Sequence, residues 1–519
     1  MFGKKQVEES KADFRIENVE IPRLPDVNDY STLDIRYPLI APYVTVRIHF
    51  DFNSNELLYD VEEPVLGSEQ MELLKLIEQG IQELVNISVL NVKSAEAVIE
   101  YLEKNIKVIL DELGVRLSSE DFIKIVYYAY RDFVGLNEIE PLMKDYFIED
   151  IECNGFNTPI YIVHRKYGNI RTNVIFKDAK YLESFVEKLA QKCGKYVSYA
   201  RPLLDAQMPD GSRINATFSQ EISSRGPSFS IRKFTKEPFT PVKLMQVNTA
   251  SPELLAYLWI AIEYEANIII IGATGSGKTS FVNSLAFFIP PQARIVSIED
   301  TREINLLHEN WLPSVAREST GMGEGSQVDL FTLLKESFRQ RPDYVIVGEI
   351  RGKEAYVLFQ GAASGHATMS TMHAEDTETL VRRLETQPIN LSPTLVNILD
   401  IVCVMTESKV KDREVRRVRE IAEIIEIGRG IGSVATNSPF VWEPATDTFF
   451  YKVDSTLFNK IMKQKGISRQ QLDKEFRIRS RLLMAMYRRG ITSPKDVQDV
   501  INSYYRTPMK VIRDFNIAI

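Results

Sequence analysis

Cysteine is scarce in this chain of 519 residues. The three cysteines, Cys153, Cys193 and Cys403, lie far apart and form no Cys-x-x-Cys pair. Such spacing offers neither a disulfide framework nor a zinc ribbon. We therefore expect a protein of a reducing compartment, the cytoplasm.

Long apolar runs are also lacking. The most apolar stretch, residues 254–271, is interrupted by Glu263 and Glu265 and is a poor candidate for a membrane span. The first ten residues are charged, and no apolar segment that would indicate a secretory signal follows them. The sequence thus predicts a cytoplasmic protein whose membrane contacts are peripheral.

The chain also has no excess of basic residues. The net charge is -8 and the pI is about 5.5, which argues against a broadly basic surface for nucleic acid. At 519 residues the chain is long enough for two to four domains. Its apolar fraction of 44% is sufficient for each domain to have its own core.

The order of patterns predicts the domain organisation. Strands alternate with helices beyond residue 250, which is typical of an α/β domain with a mostly parallel sheet and helices on both faces. The predicted segments are an acidic, loosely ordered arm (1–65), a helical subdomain (66–135), an α+β domain (136–234), a linker (235–248), the α/β catalytic domain (249–430) and a mostly helical C-terminal region (431–519).

Residues 272–279, Gly-Ala-Thr-Gly-Ser-Gly-Lys-Thr, match the phosphate-loop pattern between a β-branched strand and an amphipathic helix. Backbone N–H groups and the helix N-terminus are expected to hold the phosphates of ATP. Lys278 would reach the β and γ phosphates, and the Thr279 hydroxyl would ligate Mg²⁺. The predicted nucleotide-binding residues are Gly272, Ala273, Thr274, Gly275, Ser276, Gly277, Lys278, Thr279 and Ser280.

Residues 343–349, Asp-Tyr-Val-Ile-Val-Gly-Glu, have the form of a Walker B strand beside the phosphate loop. Glu349 is then expected to face the Mg²⁺ ion. Many buried strands end in an acidic residue, so the pattern alone also fits a purely structural strand.

A second strand, residues 294–299, runs into an acidic cluster that contains Glu299, Asp300 and Glu303. Such strand ends meet ligands in open α/β sheets, and a carboxylate there would orient or deprotonate water. The residues alone do not distinguish the base, and a solvated strand end is the alternative.

Two of the five histidines, His366 and His373, lie seven residues apart among small and apolar residues. A metal site lacks further ligands at suitable spacing. Imidazoles that contact the γ-phosphate are one hypothesis, and two hydrogen-bonded core histidines are the other.

These four motifs, in this order, resemble the type II/IV secretion ATPase family. That family drives type II secretion, type IV pilus assembly and the archaeal flagellum (archaellum), and the motifs resemble its Walker A, Asp box, Walker B and His box. The resemblance covers roughly residues 130–425 and is strongest to the archaeal branch. It implies a RecA-like P-loop ATPase domain after an α+β domain and a small helical subdomain.

The resemblance also implies roles for single residues. Glu303 matches the Asp-box glutamate usually taken as the catalytic carboxylate, and Glu299 is the second choice for the base. Glu349 matches the Walker B acid, and His366 and His373 match the His box.

The family works as a hexameric ring whose N-terminal domain contributes arginines. Arg213, Arg225 and Arg232 fall in or beside the matching strands, and an arginine near the γ-phosphate would stabilise charge in the transition state. Each arginine fits a surface or ion-pair role equally well.

The resemblance implies partners too: a homohexamer acting on a polytopic membrane platform protein that extrudes pilin-like subunits. No nucleic acid is expected. Many bacterial members carry a four-cysteine zinc subdomain, but only Cys403 lies beyond residue 193, so no zinc is expected. The alternatives are a nucleic-acid translocase or conjugation-type ATPase on the same core, and a nucleotide-gated scaffold.

Overall fold

A computed structural model shows two compact units, Met1–Phe234 and Thr235–Ile519. Within the described residues, no helix combines the length and the apolar character needed to cross a membrane. The structure describes residues 14–17, 19–25, 27, 29–84, 95–234, 237–317, 328–410 and 413–518.

The first unit contains a sheet with nine strands in the described residues. The strands are β1 (Asp34–Ile40), β2 (Val44–Asp51), β3 (Glu56–Glu62), β4 (Ile148–Cys153), β5 (Pro159–His164), β6 (Gly168–Ile175), β7 (Leu203–Gln207), β8 (Arg213–Thr217) and β9 (Ser228–Arg232). Their spatial order is β1-β2-β3-β6-β5-β4-β9-β8-β7. β3 and β6 are parallel, whereas the other neighbours are antiparallel.

The expectation of a loosely ordered arm over residues 1–65 is wrong for the part that forms β1, β2 and β3. Val44, Val46 and Ile48 on β2 are all fully buried, and this alternation with a period of two is typical of a half-buried strand. The acidic, proline-rich composition obscured that alternation. Residues 1–13 of the arm lie outside the described residues.

Helices follow the three N-terminal strands. They are α1 (Ser68–Leu84), α2 (Ala95–Leu113), α3 (Ser119–Phe133), α4 (Glu140–Lys144) and α5 (Ala179–Lys192). α1, α2 and α3 fall in the segment predicted to be a helical subdomain, and the Ser118 hydroxyl caps α3 by accepting a hydrogen bond from the Asp121 N–H. Their buried faces share one core with the sheet.

The second unit contains another sheet with nine strands in the part of the chain that the structure describes. The strands are β10 (Ile268–Ile271), β11 (Ile295–Glu299), β12 (Trp311–Val315), β13 (Tyr344–Val347), β14 (Ala367–Met372), β15 (Ile401–Val410), β16 (Arg413–Ile427), β17 (Val434–Glu443) and β18 (Thr448–Tyr451). Their order is β12-β11-β13-β14-β10-β15-β16-β17-β18. The neighbours from β12 to β15 are parallel, and β15 to β18 are antiparallel.

Helices cover both faces of the parallel strands. They are α6 (Pro241–Gln246), α7 (Pro252–Glu263), α8 (Lys278–Ala286), α9 (Leu330–Ser337), α10 (Glu354–Ala363), α11 (Thr377–Glu385), α12 (Pro393–Val396), α13 (Thr456–Lys465), α14 (Arg469–Arg488), α15 (Pro494–Arg506) and α16 (Pro508–Asp514). The isoleucines of β10 alternate between two cores, Ile268 and Ile270 in one and Ile269 and Ile271 in the other. This explains an unbroken apolar run in a central parallel strand, and the arrangement is a RecA-like P-loop fold.

The C-terminal region differs from its mostly helical prediction at its start. Residues 434–443 and 448–451 form β17 and β18, which extend the sheet. Phe440 and Trp442 alternate into the core from β17, a strand period that the helical pattern after residue 455 outweighed. From Thr456 onward the region is helical.

Candidate nucleotide-binding site

The loop between β10 and α8 has a backbone that glycine makes possible. A Cβ atom on Gly272 would lie 2.6 Å from both the Met405 carbonyl oxygen and the Ser276 Oγ. Gly277 has φ +90° and precedes α8, which no side chain caps. The first N–H groups of α8 therefore receive no cap from the Gly277 side, and uncapped N–H groups at a helix N-terminus are suited to bind phosphate.

Lys278 is held inside this loop. Its Nζ donates hydrogen bonds to the carbonyl oxygens of Gly272 at 3.0 Å and Ala273 at 2.8 Å, and it lies 3.5 Å from Nδ1 of His373. Burial lowers the pKa of Lys278, while the negative charges of Glu349 and Glu303 act in the opposite direction. The ammonium group is thus preorganised beside two carboxylates.

Glu349 lies two residues after β13. Its Oε2 accepts a hydrogen bond from the Arg351 guanidinium, and its Oε1 lies 3.0 Å from Nε2 of His373. The angles between these two groups do not allow a hydrogen bond. Oε1 is therefore buried with no hydrogen-bond donor among the described residues. A buried carboxylate oxygen without a donor is suited to a cation or an ordered water.

His373 bridges Lys278 and Glu349. Burial and the positive charge of Lys278 lower the pKa of its imidazole, so we expect a neutral ring near pH 7. The Arg383 guanidinium donates a hydrogen bond to the His373 carbonyl oxygen, which fixes the backbone of this residue.

The Walker B strand is not the direct neighbour of the phosphate-loop strand. β14 lies between β13 and β10, because the chain crosses over after α10. Thr371 of β14 donates a hydrogen bond to the Gly348 carbonyl oxygen at 2.6 Å. The inserted strand thereby fixes the turn before Glu349 and delivers His373 between the two motifs.

Glu299 and Asn283 position the Asp-box turn. Oε1 of the buried Glu299 accepts hydrogen bonds from the N–H groups of Glu303 at 2.9 Å and Ile304 at 2.8 Å. Asn283 of α8 donates to the Glu303 carbonyl oxygen at 3.1 Å and accepts from the Asn305 N–H at 2.9 Å. The side chain of Glu303 remains exposed, so this turn presents Glu303 while Glu299 supports it.

The burial of Glu299 also changes the acidity of its carboxyl group. Burial raises the pKa of its carboxyl to about 7, and Oε2 is buried with no hydrogen-bond partner in the described residues. A group 2% exposed in this way is better suited to support the turn than to exchange protons rapidly with water.

We predict that Glu299→Gln changes the pH dependence of stability. The folded state keeps the Glu299 proton up to about pH 7, whereas an unfolded carboxyl ionises near 4.5. Wild-type stability should therefore fall relative to the variant as pH rises from about 5 to about 8, by up to roughly 3 kcal/mol. Thermal unfolding of both proteins across this range checks it, and a difference independent of pH would contradict it.

The structure does not bring His366 to the phosphate loop. His366 precedes β14 and His373 follows it, so extended chain separates them by about 23 Å. The His366 ring packs against Phe338 with centroids 4.9 Å apart, and its Nδ1 lies 3.2 Å from the Gly361 carbonyl oxygen. The hypothesis that both imidazoles contact one γ-phosphate is therefore wrong for His366 within a single chain.

The two histidines should differ in mutational effect. We expect His373→Gln to lower ATP turnover by about tenfold or more, because it removes the ring between Lys278 and Glu349. His366→Gln should change turnover by less than about threefold and act mainly on stability. Steady-state kinetics and melting temperatures of both variants test this, and equal losses of turnover would refute it.

The three candidate arginines all lie in the first unit. Arg213 forms a salt bridge with Asp205 at 2.9 Å, and Arg232 forms one with Asp150 at 2.9 Å. Arg213 and Arg232 are cross-strand neighbours on β8 and β9. The carbonyl oxygen of Arg225 accepts a hydrogen bond from the Phe156 N–H at 3.1 Å. A catalytic role for any of the three stays a prediction.

A hairpin that the sequence does not predict lies beside the phosphate loop. A Cβ atom on Gly275 would lie 3.6 Å from Oε2 of Glu407, and one on Gly277 would lie 3.5 Å from Cδ of Arg416. Glu407 and Arg416 are cross-strand neighbours on β15 and β16. Asn283 was missed as well, because α8 also contains Thr279, Ser280 and Ser284, so one further polar residue gave no distinct signal.

Two family descriptions match the chain. "Type II/IV secretion system protein" matches residues 135–426, and "PilB3-like, C-terminal" matches residues 445–518. Within the described residues, no group of three or more His, Cys, Asp or Glu side chains is arranged to hold a metal ion.

Similar proteins come from archaea and bacteria. Uncharacterized protein MJ0900 of Methanocaldococcus jannaschii is 36% identical over 395 residues, which cover 75% of this chain and 71% of that protein. Uncharacterized protein MJ1287 of the same organism is 42% identical over 47% of this chain and 90% of its own length. Type IV secretion system protein PtlH of Bordetella pertussis is 29% identical over 46% of this chain and 80% of its own length.

Two solved structures also match parts of the chain. The VirB11 ATPase of the Brucella suis type IV secretion system is 24% identical over 57% of this chain and 95% of its own, with a TM-score of 0.28. The pilus retraction motor PilT with bound ADP is 15% identical over 70% of this chain and 95% of its own, with a TM-score of 0.41.

Proposed function

Because this chain belongs to the type II/IV secretion system protein family, we propose that it is the hexameric motor of a machine that assembles or secretes pilin-like subunits. The chain is an ATPase of this family. The proposal concerns what the ATP hydrolysis drives, the ring in which it occurs and the residues that perform it.

The observation that carries the proposal is the cluster of Lys278, His373 and Glu349 at the mouth of the phosphate loop. Lys278 lies 3.5 Å from His373, which lies 3.0 Å from Glu349. A cation, a neutral imidazole and a carboxylate lie close together here. Such a group is suited to the terminal phosphate of ATP and the Mg²⁺ ion that accompanies it. Arg351 holds the other oxygen of Glu349 and so fixes the carboxylate.

Mg²⁺ fits this arrangement. The residues that would hold it are Thr279, at the start of α8, and Glu349, whose buried Oε1 accepts no hydrogen bond from the described residues. When bound, the ion would neutralise charge on the phosphates. Lys278 would contact the phosphates from within the loop, and the N–H groups of α8 would orient them.

Glu303 is the residue that we propose to orient or deprotonate the attacking water. It is exposed on a turn held by Glu299 and by Asn283 of α8, and its charge acts on Lys278. Glu299 is then a positioning residue. A shift of this turn by an ångström would move the carboxylate off the line of attack, which is costly in catalysis.

The proposed ring converts nucleotide state into displacement through closure of the domains around ATP. It would act on a polytopic membrane platform protein and lie at the cytoplasmic face of the membrane as a peripheral protein. An arginine from a neighbouring copy would complete the site, and Arg213, Arg225 and Arg232 are the candidates. Support comes from the family match, which spans the α+β region and the ATPase core.

A dominant-negative experiment tests the proposed function. Lys278→Ala, produced beside the wild type in the native cell, should enter mixed rings and reduce extracellular filaments or secreted proteins. Lys353→Ala, an exposed lysine of the same unit, is the control. Turnover of the purified wild type should change by less than about twofold with single-stranded DNA. A strong stimulation by DNA together with unchanged filaments and secretion would instead favour the translocase alternative.

A further inference from the structure

The C-terminal helices carry charge opposite to the rest of the chain. Residues 456–519 contain 14 Lys and Arg against 5 Asp and Glu, a net charge of +9. Since the whole chain carries -8, residues 1–455 carry -17. The helical end of the second unit is therefore basic, whereas the rest of the chain is acidic.

Part of this charge forms a stripe on α14. Lys474, Arg477, Arg481 and Arg488 are all exposed, and their spacing of three, four and seven residues confines them to an arc of about 60°. The stripe is about 21 Å long. The opposite face of α14 is buried, including Leu472, Leu482, Leu483 and Met486.

The charges of the stripe are not neutralised locally. None of the four side chains forms a salt bridge within the described residues, whereas Arg469 and Arg479 of the same helix both do. Arg481 donates a hydrogen bond to a carbonyl oxygen, that of Ala518. Stability of α14 comes from its buried face, so the stripe is free to serve binding.

We propose that the basic stripe of α14 docks this protein on the anionic lipid headgroups of the membrane. A convex row of long basic side chains suits a plane of negative charge, to which each Lys or Arg adds affinity. Residues 456–519, with a net charge of +9, are attracted by such a plane, whereas residues 1–455 carry -17. This inference rests on the proposed function at a membrane and names the surface that meets it.

Other ligands fit the stripe less well. Single-stranded nucleic acid needs aromatic side chains for stacking, and the nearby exposed aromatic residue, Tyr487, lies about 80° or more around the helix from the stripe residues Lys474, Arg477 and Arg481. An amphipathic insertion helix needs a free apolar face, whereas that of α14 is packed in the core. What remains is surface adsorption governed by charge.

Flotation of the full chain with vesicles tests the proposal. The vesicles contain either about 30% phosphatidylglycerol in phosphatidylcholine or phosphatidylcholine alone. We expect binding to the anionic vesicles that is about tenfold or more stronger than to neutral ones and that falls as NaCl rises from about 50 to about 300 mM. Lys474→Glu/Arg477→Glu/Arg481→Glu should weaken anionic binding by about tenfold or more.

A charge-matched control reverses three exposed basic residues of the first unit, Arg171→Glu/Lys177→Glu/Lys180→Glu. It should change binding by less than about twofold. The corresponding glutamine variant of the stripe, which loses half of the charge difference, should show an intermediate loss and guards against misfolding of the reversed one. Equal losses in the stripe and control variants would overturn the proposal.

Two further readouts separate this inference from the proposed function. ATP turnover without vesicles should be unchanged in the stripe variant, so a defective motor and a defective docking surface give different results. Polyglutamate and a single-stranded oligonucleotide are tested in the same buffer. Stripe-dependent binding of either one without binding of anionic vesicles would assign the surface to a protein or a nucleic acid, and would refute the lipid proposal.

Discussion

Lys278→Ala should lower ATP turnover of the full chain by about a hundredfold or more. Its ammonium is buried in the phosphate loop, with two carbonyl oxygens as acceptors and with Glu349 and Glu303 as nearby charges. No other described lysine lies inside the loop, so nothing replaces its charge on the β and γ phosphates. Initial rates of phosphate release measure the effect.

The control for Lys278 is Lys353→Ala, which removes an exposed lysine of the same unit. It should keep turnover within about twofold of wild type. Affinity for a fluorescent ATP analogue should also fall in the Lys278 variant, because in the proposed role the cation contacts the nucleotide before and during the reaction. A Lys278 variant with more than about a tenth of wild-type turnover would contradict the assigned role.

The second large effect is expected for Glu349→Gln. The substitution preserves size but removes the charge beside His373 and Lys278. We expect kcat to fall by about a hundredfold, with nucleotide affinity changed by less than about fivefold. Binding isotherms beside steady-state kinetics separate these quantities.

Glu354→Gln is the matched control for Glu349. Glu354 lies near Glu349 in sequence and accepts hydrogen bonds from the N–H groups of Arg351 and Gly352, but it is not among the charges that act on Lys278. Its substitution should affect kcat by less than about fivefold. Similar losses in both variants would mean that Glu349 acts through the local backbone rather than through its charge.

The phosphate loop and its acidic partners could be predicted because each motif has a local physical requirement. Gly272 and Gly277 are needed by the backbone, and Lys278 and Glu349 follow strands whose β-branched residues are visible in the sequence. The order of the strands in the sheet could not be predicted from such local requirements. That β14 lies between β10 and β13 depends on packing between segments about 100 residues apart.

His366 shows how a motif can mislead. Two histidines seven residues apart suggested one shared site, but the intervening residues form β14, which places them at opposite ends of that strand. The N-terminal strands were missed for a different reason, since acidic and proline-rich composition outweighed a clear alternation in β2. Hairpin residues such as Arg416 had no sequence signal because tertiary contact alone places them.

We propose that Glu303, presented by the Asp-box turn, orients or deprotonates the water that hydrolyses ATP in an assembled ring. The most direct test is ATP turnover against protein concentration for the wild type and Glu303→Gln, with sizing chromatography on the same samples. We expect wild-type turnover to rise as a hexamer forms, and the variant to assemble yet lose turnover by about a hundredfold. A fully active monomer, or an assembled variant with normal turnover, would contradict it.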